Sequence, residues 1–219
     1  MPPTNPATPD RHPNRPDPDT ASTGGPVPTA DEQTADEQFV TLAHTPDLRV
    51  PHNRLAVSSL RQMPTHNGVA FVADLTIDGR YAGPIENDGN GGPTTYFGLN
   101  SSPFTWRHLH EYVQACRYRG RPVSEEFVLD ALVTEFDLGQ QVKAAAAAGA
   151  TLVRLLDANG HTLDIQAVRP APTTPAERAA IARLAARPPS YPQGRLWQIS
   201  WVPEGSVSWG ETPCHIETG

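Results

Sequence analysis

The stretch HNGVAFVADLTIDGRYAGPIENDGNGGPTTYFGL, residues 66–99, decides the fold. Val69, Phe71, Ala73, Leu75 and Ile77 recur at period two, with Ala70, Val72, Asp74 and Thr76 between them, the pattern of a half-buried strand. Asp78-Gly79 follows at once, and both residues tolerate the positive φ of a two-residue type I′ turn. Arg80 to Glu86 reads as the returning strand. Pro84 has no N–H to give to a ladder, which predicts an edge position or a bulge. Thr94 to Leu99 then resumes a strand.

Glu86-Asn87-Asp88-Gly89-Asn90-Gly91-Gly92-Pro93 gathers residue types that enter left-handed φ, and its first reading is a tight turn between strands. Glu86, Asp88, Asn90 and Gly91 also follow the opening of the calcium-loop pattern D-x-[DN]-x-[DN]-G. Position twelve of that pattern needs a bidentate Glu and is Phe97 here. The N–H groups of Gly89 to Gly92 offer a weak anion-binding concavity, with no G-K-[ST] and no helix opening behind them. No metal and no cofactor is expected.

Outward from this core, the 219 residues and 37% hydrophobic content fit one domain with tails. Residues 1–37 carry nine prolines and almost no large apolar side chains, so they are expected to be a disordered arm. A net charge of −7 argues against non-specific wrapping of nucleic acid. Cys116 and Cys214 form neither a disulfide framework nor a zinc spacing, which fits a reducing, cytoplasmic setting. No apolar leader opens the chain and no run of eighteen apolar residues occurs, so neither secretion nor a membrane span is expected. The abundance of Ala, Arg, Pro and Asp suggests a GC-rich, actinobacterial type of source.

Asn53 to Leu60 reads as a strand, and His44, His52 and His66 around it as surface histidines lacking ligand spacing. Ser102 or Thr105 caps a helix whose stripe is Leu109, Tyr112, Val113 and Cys116, ending at Gly120. Cys116 on that stripe reads as a small buried hydrophobe. Arg117, Arg119 and Arg121 then sit at a helix C-terminus, where the dipole favours them; an Arg cluster interleaved with Tyr118 also suits RNA or phosphate. Ser124 caps a second helix, and Asp137-Leu138-Gly139 is expected to break it before Gln140 to Ala148. Thr151 to Leu156 and His161 to Val168 form a second hairpin, and Thr174-Pro175-Ala176-Glu177 is a capping box. Arg195 to Val202 is a last strand, with Trp197, Ile199 and Trp201 on its core face. Residues 205–219, with Trp209, read as a tail.

These elements predict an α+β domain over 38–204: a small antiparallel sheet of the two hairpins, with three or four helices on one face. Leu75, Asp78, Gly79, Asn87, Asp88, Gly89, Gly91 and Gly92 resemble the opening hairpin of a loose set of small bacterial phage and plasmid proteins with an N-D-G-x-G-G loop. The resemblance implies the same hairpin order over roughly residues 68–200 and a mobile-element origin. It supplies no catalytic residues.

No G-x-S-x-G, H-E-x-x-H, kinase or Walker signature is present. The leading expectation is a non-enzymatic accessory or host-interaction factor that binds another protein through Glu86, Asn87, Asp88 and Asn90. One alternative is a nucleic-acid-binding module built on Arg117, Arg119 and Arg121. The other is a hydrolase-like enzyme pairing Asp88 or Glu86 with His108 or His110, which requires them to share a cleft.

Overall fold

A computed structural model describes residues 39–45, 47–185, 194–201 and 208–213. The expected disordered arm, 1–37, and Cys214 lie outside the described residues. Among the described residues the fold is mixed α/β, with antiparallel sheets and three helices. No helix among the described residues is long and apolar enough to cross a membrane.

The opening hairpin is β4 (Val69–Ile77) and β5 (Arg80–Asn87), joined by Asp78 at φ 51 and Gly79 at φ 72, the positive angles a type I′ turn requires. β3 (Leu55–Pro64) flanks β4, and β6 (Thr95–Tyr96) flanks β5. Pro84 is therefore not on an edge strand. A register shift between Leu75 and Thr76 places a bulge beside it. Pro84 accepts a hydrogen bond from Phe97 N–H at 2.9 Å but cannot return one, and a Cβ on Gly83 would collide with the Phe97 carbonyl. Both features hold β6 to two residues where the sequence suggested six.

The second hairpin, β9 (Thr151–Asp157) and β10 (Thr162–Val168), belongs to a different sheet, ordered β10-β9-β11-β12 with β11 (Gly194–Trp201) and β12 (Ser208–Pro213). The single sheet expected from the sequence is thus two sheets, because each hairpin finds its own flanking strands. The segment read as a tail contributes β12. A third sheet joins four short strands: β1 (Val40–Thr41), β2 (Leu48–Val50), β7 (Arg117–Tyr118) and β8 (Arg121–Pro122).

The long helix α2 (Glu125–Ala147) touches both β3 and β9, so the helices do not simply cover one face. Ser124 accepts Phe127 N–H at 3.2 Å at its start. Gly149 at φ 66 ends it, with Ala150 N–H to Ala145 O and Gly149 N–H to Ala146 O forming a Schellman pair. The expected break at 137–139 does not occur. Asp137 accepts from Gln141 one turn on, Leu138 is buried, and Gly139 continues the helix beside His44. α1 (Trp106–Ala115) starts at Thr105, whose N–H donates to His108 Nδ1, and α3 (Pro175–Ala185) carries the expected Thr174–Glu177 capping box. The core gathers Leu48, Leu75, Ile85, Leu109 and Leu129, all essentially inaccessible. Each such side chain contributes about 1.5–3 kcal/mol of burial.

Candidate functional site

Two regions combine geometry and chemistry. The first is the outer face of the β3–β6 sheet beside the 86–93 loop. Cross-strand pairing places Arg61 and Met63 beside Val72 and Ala70, and Val72 opposite Glu86, with Thr95 next in line. Glu86, Asp88, Met63, Val72 and Phe97 line a groove of about 570 Å³. Met63 is 65% exposed and Phe97 49% exposed.

The loop walls this groove as a fixed structure. Asn87 Nδ2 donates to Gly92 O at 3.1 Å and Thr94 Oγ1 at 3.0 Å, while its Oδ1 accepts Gly89 N–H at 2.8 Å. Thr94 in turn donates to Asp130 on α2 at 2.5 Å. Asp88 Oδ1 accepts Asn90 N–H at 2.9 Å, an Asx turn. Thr65 Oγ1 donates to Gly89 O at 2.7 Å, tying the loop to the turn between β3 and β4. Of the four expected contact residues, Glu86, Asp88 and Asn90 are exposed, whereas Asn87 is spent inside the loop.

Of the arginine cluster only Arg117 lies at the helix C-terminus. α1 stops at Ala115, and Arg119 at φ 50 with Gly120 at φ 78 makes a tight turn between β7 and β8. Gly120 signals a turn as readily as a helix end, which is why the sequence misplaced it. Arg119 pairs with Asp47 at 2.7 Å and donates to Ala158 O, and Arg117 donates to Gln114 O and Cys116 O. Arg121 is exposed. Two of the three guanidiniums therefore already hold protein acceptors. Nor does His108 share a groove with the carboxylates of the enzyme alternative. Glu86 and Asp88 line the sheet groove, whereas His108 caps α1 and lines a separate hollow with His52, Arg54 and Tyr112. Cys116 is buried, as expected, and burial pushes its thiol up to about 12.

The second region went unnoticed in the sequence. β9 is buried on both faces, and Arg154 within it is only 2% exposed. Register pairs Arg154 with Gln198 and Leu156 with Leu196, so these four share one face. The face expected to be the outer side of β11 is therefore buried, with Gln198 and Ser200 inside. Arg154 Nε donates to Gln198 Oε1 at 2.8 Å, and its guanidinium lies 4.2 Å from the Trp209 ring centre. Trp209 Nε1 donates to His44 Nδ1 at 3.0 Å, which places the imidazole proton on Nε2. His44 is buried, not superficial, because β12 and α2 close over it. Burial, then the charges of Arg154 and Lys143, pull its pKa down to about 4.

The Arg154–Gln198 face and the Phe127, Ala131 and Thr134 side of α2 enclose a cavity of about 630 Å³. Its end is closed by the β7–β8 turn docked on the β9–β10 turn, where the Tyr118 hydroxyl donates to Asn159 O. Asp130 also lines the cavity, its carboxyl raised by burial against the pull of Thr94. The sequence signal for this region was one charge inside the apolar run Thr151 to Leu156.

Comparison with known proteins finds no matching family, no matching curated protein and no matching solved structure, and so brings nothing to bear on the likeness to mobile-element proteins.

Proposed function

We infer that the protein works by binding: it takes a segment of another protein on the outer face of the β3–β6 sheet, against the 86–93 loop. The observation that carries this reading is the exposure of Met63 and Phe97 together in one groove, walled by a loop tied down at both ends. Solvent-facing apolar side chains in a preformed concavity favour an apolar anchor from a partner, and a rigid wall lowers the ordering cost of binding. Glu86 and Asp88 on the rim favour basic residues flanking that anchor, with Arg61 the opposing charge.

The test is selection of peptides from a random display library on the folded protein, followed by affinity measurement on variants. Enriched peptides should carry an apolar residue flanked by Lys or Arg. Phe97→Ser should weaken them by about 2 kcal/mol, roughly thirtyfold, as a central anchor contact does. Glu86→Gln with Asp88→Asn should weaken them severalfold at low salt and little at high salt. Selected peptides that bind all these variants as tightly as the parent protein sink the reading.

A further inference from the structure

Among the described residues Arg154 is a buried cation with no ion-pair partner. A guanidinium has five N–H donors. Among the described residues Arg154 makes one hydrogen bond, from Nε to Gln198 Oε1. The Trp209 ring covers one side of its plane, so the group is held in orientation while its terminal N–H groups remain open. Glu135 attracts it through space without an ion pair. That carboxylate is engaged elsewhere: it accepts His44 N–H at 2.8 Å and the N–H groups of Ala43 and Thr45. Arg119, the other guanidinium in the lining, is matched by Asp47, and the carboxylates Asp130 and Asp157 also line the cavity.

We propose that the cavity between α2 and the β9–β11 face binds a small organic monoanion, a carboxylate head on an apolar body, with Arg154 as its bidentate partner. Arg–carboxylate pairing is planar and two-pronged, and it strengthens where water is excluded. Phe127, Leu156 and Leu196 supply apolar lining for the body of the ligand. The volume, about 630 Å³, is that of an ordinary small-molecule site. One open cation favours one negative charge. Asp130 in the same lining repels a second, which selects against phosphate dianions. Burial pulls the Arg154 pKa down to about 10, as befits a cation short of compensation. This site shares no residue with the sheet groove and stands apart from the reading above.

The experiment is calorimetric titration of the full chain with carboxylates of increasing apolar size, from acetate to 4-phenylbutyrate, with 3-phenylpropionamide and phenyl phosphate as controls. Saturable one-site binding should rise with apolar size, and the Arg154 Nε–H resonance should shift on titration. The neutral amide should bind at least about tenfold more weakly, since it leaves the guanidinium unpaired. Thr134→Trp, at an exposed helix position that lines the cavity, should abolish binding while leaving the thermal midpoint unchanged. Arg154→Met should also abolish it; if that variant fails to fold, Thr134→Trp and the amide decide. Absence of binding across the carboxylates, equal affinity for the amide, or unaltered binding by Thr134→Trp overturns the proposal. Tighter binding of phenyl phosphate than of any carboxylate overturns the monoanion assignment.

Discussion

Gly89 and Gly91 sit two residues apart in the 86–93 loop, both at positive φ, +70° and +86°, yet their surroundings differ. A Cβ on Gly91 meets nothing within 4 Å. A Cβ on Gly89 would run into the Ala70 amide nitrogen, with Val69 C at 2.7 Å and Thr65 Cγ2 at 2.8 Å. Gly91→Ala therefore incurs only the left-handed conformational cost, about 1–2 kcal/mol, offset by about 0.4–1 kcal/mol from the stiffer unfolded chain. Gly89→Ala adds an overlap with strand backbone, which cannot rotate away, so a further cost of about 2–3 kcal/mol follows. Urea unfolding should show Gly91→Ala no more than about 1.6 kcal/mol below the parent and Gly89→Ala about 2–3 kcal/mol below Gly91→Ala, at unchanged m-value. The groove should report the same contrast, since only Gly89→Ala pushes the loop off β4: selected peptides should weaken with Gly89→Ala and not with Gly91→Ala. If the two variants agree within about 0.5 kcal/mol, the loop does not lie against β4 as described, and the rigid wall of the groove goes with it.

His44 should impose an acid limit on stability. Its folded pKa, about 4, lies below the ordinary 6.5, so the unfolded chain takes up the proton first as pH falls. Stability from this group is complete above pH 6.5 and is lost between 6.5 and 4, about 3 kcal/mol in all. Glu135, raised by burial, works against that slope at the acid end. Comparing urea midpoints of the parent and His44→Asn across this range isolates the histidine, and the variant should show the flatter profile. Asn87→Ala removes three hydrogen bonds at once and leaves Gly89 N–H without its acceptor. It should cost about 1–3 kcal/mol in the same assay. Tyr118→Phe should leave global stability nearly unchanged while speeding amide exchange over residues 158–161, because it removes one of the two bonds, with Arg119 to Ala158 O, that tie the two turns together.

The opening hairpin was legible because its information is local: period-two apolar residues fix the pleat, and Asp78-Gly79 fixes the turn. Helix ends marked by Ser124, Thr174 and Gly149 were legible for the same reason. The short strands β1, β2, β7 and β8 were not, since two or three residues carry no period. Arg119 to Arg121 was misplaced because Gly120 suits a helix end and a hairpin turn alike, and Asp47, which holds Arg119 in the turn, is 72 residues away. Asn87 looked like a contact residue because its partners Gly92 and Thr94 become neighbours only when the loop closes. The buried polar group around Arg154 was beyond local reading altogether: Gln198 is 44 residues away, and Trp209 lay in what read as a tail.

The residue pattern of α2 held one unread clue about the arrangement of the sheets. A helix lying on a single sheet needs one apolar stripe and leaves its other side polar. Phe127, Val128, Leu129, Ala131, Leu132 and Val133 are too many apolar positions in seven residues for one stripe, since consecutive helical residues point about 100° apart. Such a helix must be covered on more than one side. In the fold Val128, Leu129, Ala131 and Leu132 join the core that includes Leu55 and Leu75 of the β3–β6 sheet, with Phe127 packed against it, and Phe127 and Ala131 also line the cavity with Leu156 and Leu196 of the other sheet. Two sheets on one helix leave a seam wherever the second sheet does not close fully. That seam is where Arg154 meets the cavity, so the excess of apolar residues in α2 and the hollow beside it have one cause.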